Sequence, residues 1–152
     1  MRRSAGILPF RRHSGELEVL LAHPGGPFWR KRDEGAWSIV KGEYLEDEAA
    51  EAAARREFME ETGWSIEGEL APLGEIRQAG GKHVIAFAME ADFDPVTLKS
   101  NTFEMIWPPR SGRRQSFPEI DRAAWFSLGE ARARIIVGQQ PFLQRLAEML
   151  EY

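Results

Sequence analysis

Residues 42–64 read GEYLEDEAAEAAARREFMEETGW and carry the strongest pattern in this 152-residue chain. Residues 48–61 are rich in Ala, Glu and Arg, which all favour helix formation, so the segment predicts a helix. Three acidic side chains recur on one face of that helix at spacings of three and four. They are Glu57, Glu60 and Glu61.

This acidic face points to a divalent cation. Like charges at these spacings repel by a few tenths of a kcal/mol per pair, so a purely structural helix gains nothing from them. A bound cation would make the cluster favourable, because each carboxylate is attracted to the cation. Hard oxygen ligands suit Mg²⁺ or Mn²⁺, and Mg²⁺ commonly completes its shell with waters and substrate phosphates. The segment therefore predicts metal-dependent phosphate chemistry.

The order of residues around these acids resembles the Nudix box. The matching positions are Gly42, Glu48, Arg56, Glu57, Glu60, Glu61 and Gly63. All seven polar and glycine positions of that 23-residue signature are present. Phe58 and Trp64 are the two departures, because the family usually has an aliphatic residue at each.

The resemblance implies a Nudix-type α/β/α sandwich, with a mixed β-sheet between helices. The alternation of apolar runs and turn residues agrees with such a fold. It predicts strands at 5–11, 17–23, 37–40, 70–78, 84–93 and 123–127, and helices at 48–61, 128–137 and 141–151. The chain length predicts a single Nudix hydrolase domain over residues 1–152.

The same resemblance implies a ligand set for Mg²⁺, with Mn²⁺ as an alternative. Glu60 and Glu61 should bind the metal, and the carbonyl of Lys41 adds a ligand. Glu57 either binds the metal or acts as the general base. Arg56 should orient this glutamate through a salt bridge.

Three further box positions are expected to be structural. Glu48 should support the salt bridge of the box arginine, and Gly63 stands where a C-cap glycine ends a helix. Gly42 lies in the loop before the helix, where the lack of a Cβ atom lets the backbone approach a metal or phosphate.

The general base varies within the family, and some members use a residue outside the box. Glu104 is the preferred candidate here, because it precedes the apolar, proline-terminated stretch 105–108. Glu75 and His83 are the alternatives.

The implied reaction is Mg²⁺-dependent hydrolysis of a diphosphate linkage in a nucleoside diphosphate-linked substrate. A nucleoside triphosphate and a dinucleoside polyphosphate both remain open. Lys41 and Gly42 resemble the pair that begins the box of diadenosine polyphosphate hydrolases, but the only tyrosine downstream of the box is Tyr152. A non-catalytic nucleotide sensor of the same fold is the alternative, although sensors commonly lose the box glutamates that this chain retains.

Basic and aromatic residues outside the box are candidates for substrate binding. Arg30, Lys31 and Arg32 form one basic cluster, and a second lies within 108–118. An aromatic ring binds any base face, which makes Trp37, with Trp29 and Trp107 as alternatives, a candidate platform for a base.

Composition limits the partners. A formal net charge of -4 argues against a stable nucleic-acid partner, and the absence of Cys excludes disulfides and a cysteine nucleophile. There is no apolar run of membrane-spanning length and no convincing signal-peptide core, so we expect a cytoplasmic protein without a membrane partner. The expected partner is a small nucleotide, and homodimers are frequent in the family that the chain resembles.

Overall fold

The computed structural model describes residues 2–152 and places a mixed β-sheet between helices. The strands are β1 (Arg3–His13), β2 (Glu16–Pro24), β3 (Val40–Glu43), β4 (Ala71–Gln78), β5 (Lys82–Glu90), β6 (Thr102–Ile106), β7 (Arg114–Pro118) and β8 (Ile120–Ser127). The helices are α1 (Ala50–Thr62), α2 (Leu128–Arg134) and α3 (Gln140–Met149), with 3-10 turns at Pro95–Thr97 and Val137–Gln139. None of the helices within residues 2–152 has the length and apolar character needed to cross a membrane.

The main sheet is built around β1. Its strands run in the order β4-β5-β1-β2-β8, and β3 also pairs with β1. The pairing of β1 with β5 is parallel, whereas the other pairs are antiparallel. Residues 4–7 of β1 pair with β3, and residues 10–13 pair with β2. The strands β2 and β3 therefore diverge from a shared neighbour.

The sheet has an apolar core on each face. Successive side chains of β1 point to opposite faces, so Ile7 joins the core under α1 and Leu8 joins the core under α2 and α3. The helix α1 contributes Ala54 and Phe58 to the first core, while α3 contributes Phe142 to the second. This arrangement confirms the predicted α/β/α fold class.

An aromatic cluster holds the C-terminal end of α1. The ring of Trp64 stacks on Phe93 with centroids 4.8 Å apart, and Phe58 lies 5.4 Å from Phe93. Gly63 ends the helix with a φ of 76°, and its N–H donates to the Met59 carbonyl at 2.8 Å. The two aromatic departures from the box thus pack in one cluster, and they position the acidic turn of the helix.

Several element boundaries differ from those predicted. Residues 102–106 and 114–118 form the separate hairpin β6-β7, where the sequence predicts no strand. No residue of the hairpin is fully buried, so it lacks the buried apolar runs that mark β1 and β2. The strand predicted at 37–40 starts only at Val40, because Trp37 and Ser38 make isolated bridges instead of a ladder.

Truncation of Phe58 tests how far this core supports α1. Because Phe58 is completely buried, Phe58→Ala should lower the free energy of unfolding by about 3–5 kcal/mol. Urea denaturation followed by circular dichroism measures the loss. The neighbouring Met59 is 52% exposed, so Met59→Ala is the matched control and should change stability by less than about 1 kcal/mol. Equal effects of the two substitutions would contradict this packing.

Candidate active site

Arg56 links the acidic side chains of α1 to the loop before the helix. Its Nε and Nη2 atoms donate to the two carboxylate oxygens of Glu48, each at 2.9 Å. Its Nη1 atom donates to Oε1 of Glu57 at 2.8 Å and reaches Oε2 of Glu60 at 3.5 Å. The hydrogen bonds from Arg56 lower the pKa of the Glu48 carboxyl. Such two-pronged contacts fix orientation more firmly than a single charge pair does.

Gly42 makes room for the Glu57 carboxylate. A Cβ atom at this position would overlap the Glu57 side chain, including the carboxyl carbon and Oε2. Gly42 pairs with Ala5 in the ladder between β3 and β1, so the sheet holds it in place. The carboxylate therefore lies directly against the backbone of β3, and any side chain at Gly42 would displace it.

Glu61 lies half-buried among other acids. Burial raises the pKa of its carboxyl to about 7, and the negative charges of Glu119, Glu57 and Glu60 contribute to that shift. The ammonium group of Lys41 opposes it. Burial also raises the pKa of Glu57. The site therefore keeps acidic groups where their charge is poorly compensated.

A cavity of about 260 Å³ opens beside Glu61, where β2 and β3 diverge. Its charged lining residues are Lys41, Glu61 and Glu119. The other lining residues are Ala22, Pro24, Trp29, Ala36, Ser38, Ile39, Val40, Ile120 and Ile136. A mostly apolar concavity with a few charged groups is typical of a site for a small ligand.

Comparison with known families identifies the chain. A family model described as the NUDIX domain matches residues 1–146. The chain belongs to the Nudix family. This match confirms the prediction of a Nudix hydrolase, and the box residues described above are its signature. A search among curated proteins found no significant sequence match.

Solved structures share the Nudix fold of this chain. An Ap4A hydrolase of C. elegans is 20% identical with a TM-score of 0.68, and the match covers 99% of this chain and 98% of that one. The NUDIX domain of Shewanella oneidensis NrtR, complexed with ADP ribose, is 16% identical with a TM-score of 0.64, covering 97% and 87%. A mutT/nudix family protein from Listeria innocua is 19% identical with a TM-score of 0.62, covering 99% and 94%. At these identities the likeness establishes the fold alone.

The Nudix family implies a divalent metal ion, and the donor atoms fit one. Within residues 2–152 no three acidic or histidine side chains lie close enough together to enclose an ion, and Arg56 contacts both Glu57 and Glu60. The oxygens are hard ligands, and a cation would relieve the poorly compensated charge at Glu61. The side chains that could hold the metal are Glu57, Glu60 and Glu61, and the Lys41 carbonyl stays a predicted ligand.

The structure brings Glu119, and not Glu104, to the site. Glu104 lies in the hairpin β6-β7, where its side chain is 61% exposed and its nearest cation is Arg114 at 3.7 Å. Glu119 lines the cavity and acts electrostatically on Glu61. The assignment of Glu104 as a base therefore stays a prediction, although the hairpin leaves its side chain largely exposed and outside the cavity lining.

The other two candidates for the general base also lie elsewhere. Glu75 and His83 hydrogen-bond to each other across the β4-β5 pair, and neither lines the cavity. Only one signal in the sequence could have indicated Glu119, namely an acid directly before the last alternating strand. Its N–H donates to the Asn101 carbonyl and its carbonyl accepts from Gly25, both at 2.9 Å.

Trp37 is a core residue, which corrects its assignment as a platform for a base. It is 3% exposed, and its ring contacts His23 at 5.1 Å and Phe126 at 4.9 Å. The guanidinium of Arg122 lies 5.2 Å from the ring centroid. The indole N–H donates to Asp33 at 2.8 Å. No face of this ring remains open to a ligand.

Trp29 is the tryptophan that lines the cavity. It is 37% exposed, and the Arg32 guanidinium lies 5.5 Å from its ring centroid. The side chains of Arg30, Lys31 and Arg32 are all exposed, and none lines the cavity itself. The basic cluster therefore lies beside the cavity opening at Trp29.

The buried acid should destabilise the metal-free protein at alkaline pH. Because the folded state raises the pKa of Glu61 from 4.5 to about 7, its ionisation lowers stability progressively between these two pH values, and the loss is complete and constant above about pH 7. Glu61→Gln removes that charge, so at about pH 8 the variant should be more stable by on the order of 1 kcal/mol after solvent screening. Near pH 5 the difference should shrink.

Thermal unfolding in the presence of a chelator measures this effect, with an expected rise in Tm of roughly 2–4 °C at the higher pH. Glu51→Gln is the control, since Glu51 lies on the same helix with its side chain 52% exposed. A stability difference that does not depend on pH would contradict the environment described for Glu61.

Proposed function

We propose that the protein is a Mg²⁺-dependent pyrophosphohydrolase that cleaves a diphosphate linkage in a nucleoside diphosphate-linked substrate. A nucleoside triphosphate and a dinucleoside polyphosphate are the two substrate classes, and the products are a nucleotide and a second phosphate compound. One observation carries this proposal. The acidic face of α1 meets the cavity at Glu61, so a phosphate chain at the helix can continue into a space that accepts the rest of a small substrate.

Some residues of the box would bind the metal, and others orient those ligands. Glu57, Glu60, Glu61 and the Lys41 carbonyl would hold Mg²⁺. The metal supplies neutralisation of phosphate charge and a more acidic bound water. Arg56 orients Glu57 through the 2.8 Å hydrogen bond. The ammonium group of Lys41 lines the cavity near Glu61, where it can attract a phosphate oxygen.

Glu119 is our candidate for a base outside the box. It lines the cavity, and it is close enough to Glu61 to raise the pKa of that carboxyl. A base must reach the attacking water within hydrogen-bond distance, so a carboxylate that lines the cavity qualifies on position. Glu57 remains the alternative within the box, since its carboxylate is also partly buried.

The comparisons support this proposal without selecting the substrate. One structural relative is an Ap4A hydrolase, and another is a NUDIX domain complexed with ADP ribose. Both ligands named there contain phosphates joined by anhydride bonds. For this chain, a dinucleoside polyphosphate is one of the two proposed classes, and ADP-ribose belongs in the same screen.

A substrate screen tests the reaction. Purified protein with Mg²⁺ should cleave one class among nucleoside triphosphates, dinucleoside polyphosphates, nucleotide sugars and ADP-ribose, with products identified by chromatography. Glu61→Gln should lower kcat by about 100-fold or more, because the metal loses a ligand, while the exposed control Glu51→Gln should leave it unchanged. Tight binding without Glu61-dependent turnover would instead indicate a nucleotide sensor.

A matched pair of substitutions tests the base. Glu119→Gln should lower kcat by about 10² to 10⁴ fold, since a positioned base contributes that range. Glu104→Gln, in the exposed hairpin, should have no effect larger than about twofold. The readout is the pH profile of kcat, in which Glu119→Gln should flatten the acidic limb. If Glu104→Gln gave the larger loss, the assignment of Glu119 would be wrong.

A further inference from the structure

Two basic segments that lie far apart in the sequence meet on one surface of the protein. The first segment carries Arg30, Lys31 and Arg32, and the second is the tip of the hairpin β6-β7, which carries Arg110 and Arg113. All five residues are exposed. Within residues 2–152 none of them takes part in a salt bridge. Their positive charge is therefore not neutralised by a directly bonded acid.

Packing contacts bring the two segments together. The loop 24–33, which we call the cavity loop, lies along the hairpin. A Cβ atom at Gly26 would lie 3.0 Å from the Phe103 ring, near the base of the hairpin. Further along the loop, the Phe28 ring meets the Trp107 ring edge to face, with centroids 5.3 Å apart. The cavity loop therefore runs from the base of the hairpin towards its tip, and its three basic residues follow shortly after Phe28.

Hydrogen bonds fix the hairpin tip. The Trp107 N–H donates to the Arg113 carbonyl at 2.9 Å, and the Ser111 N–H donates to the Pro108 carbonyl at 3.0 Å. The second bond closes a four-residue turn whose third residue, Arg110, has a φ of 64°. Glycine or asparagine suits this left-handed position, whereas an arginine there strains the backbone. The turn alone therefore does not explain the arginine, but a requirement for positive charge at the tip does.

We propose that the cavity loop and the hairpin tip form a binding surface for single-stranded nucleic acid, with the basic side chains on the phosphates and Phe28 against a base. Clustered cations supply much of the affinity of a protein for a phosphate backbone. An aromatic ring among them adds stacking that accepts any base, and Phe28 is 61% exposed. The net charge of -4 argues against such a partner only as an average over the chain, because it conceals this local cluster. The inference goes beyond the proposed function, since it needs neither the metal nor the cavity.

An anionic membrane surface is the main competing partner, since basic clusters also bind acidic lipids. The ring of Phe28 distinguishes the two partners. Phe28→Leu keeps an apolar side chain that can enter a lipid surface, but it removes the flat face on which a base stacks. Inorganic polyphosphate is the second comparison, because it offers phosphate charge without bases.

The experiment measures binding of a fluorescently labelled, single-stranded oligonucleotide of about 12 nucleotides by anisotropy. The oligonucleotide has a 5′-hydroxyl end and the buffer contains a chelator, so the measurement does not depend on hydrolysis or on the metal. At about 0.1 M salt the wild-type protein should bind with a Kd of roughly 1–100 µM. The logarithm of the affinity should fall with the logarithm of the salt concentration with a slope of about -3.5, because each of five phosphate contacts contributes about -0.7.

Substitutions of single cations test the surface. Lys31→Gln and Arg113→Gln should each make the slope shallower by about 0.7 and weaken binding about fivefold at about 0.1 M salt. Arg110→Gly should have the same effect on binding while it preserves or raises the Tm, because glycine relieves the positive φ. Arg12→Gln is the matched control, since Arg12 is an exposed cation near the β1-β2 turn, at the opposite end of β2 from the cavity loop and roughly 25 Å away. It should leave the slope and the affinity nearly unchanged.

Phe28→Leu should weaken oligonucleotide binding at least about fivefold without a change of slope, since stacking contributes roughly 5- to 150-fold per base. Its affinity for inorganic polyphosphate should equal that of the wild-type protein. An equal loss in Arg12→Gln, or an undiminished slope in the variants of the basic surface, would overturn the inference. Tighter binding to phosphatidylserine vesicles than to the oligonucleotide, retained in Phe28→Leu, would assign the surface to a membrane instead.

Discussion

The close approach of the Glu57 carboxylate to the backbone at Gly42 is the constraint on which the candidate site depends. It brings α1 against β3 at a point where any side chain at position 42 would push the Glu57 carboxylate aside. Arg56 then connects Glu57 to Glu48, so the loop before the helix is fixed to the same point. The next residue, Phe58, is wholly buried beneath the helix. Fold and site therefore share one short segment, and a change in either affects the other.

The use of one short segment for both fold and site has an electrostatic cost. Packing α1 against the sheet brings Glu61 out of solvent and near Glu119, which raises its pKa to about 7. A folding protein gains nothing from such a group, because burial penalises its charged form. Sites that conflict with local stability are the places where function is expected to reside. The contrast with Glu48 supports this view, since its pKa is lowered by Arg56 within the same segment.

The sequence was informative where the relevant contacts are local. The box predicted a helix, its capping glycine and the acidic face, because residues three and four apart on a helix are neighbours whatever the tertiary structure. The positions of Glu119 and Trp29 in the cavity lining depend on contacts between distant segments. Trp37 was the preferred tryptophan, but only the packing of His23 and Phe126 shows that its ring is enclosed.

The difference between local contacts and contacts between separate segments also explains the errors in the elements predicted for the second half of the chain. The hairpin β6-β7 is paired apart from the main sheet and buries little, so its strands lack the long buried runs of β1 and β2. Because the sequence predicts no strand at 102–106, it gives no sign that Glu104 lies on an exposed hairpin. Its true position is decided by the register that sets it opposite Ser116.

The unequal distribution of polar groups in the cavity has a consequence for selectivity. Its charged side chains are those of Lys41, Glu61 and Glu119. Among the other side chains of the lining, only those of Ser38 and Trp29 carry a polar group. The Ser38 hydroxyl already donates to the Ile39 carbonyl at 2.7 Å. A cavity whose side chains offer few hydrogen-bonding partners to a bound base rejects a wrong heterocycle only weakly. If the proposed function holds, such a cavity would distinguish substrates more by the length and charge of their phosphate chain than by their base.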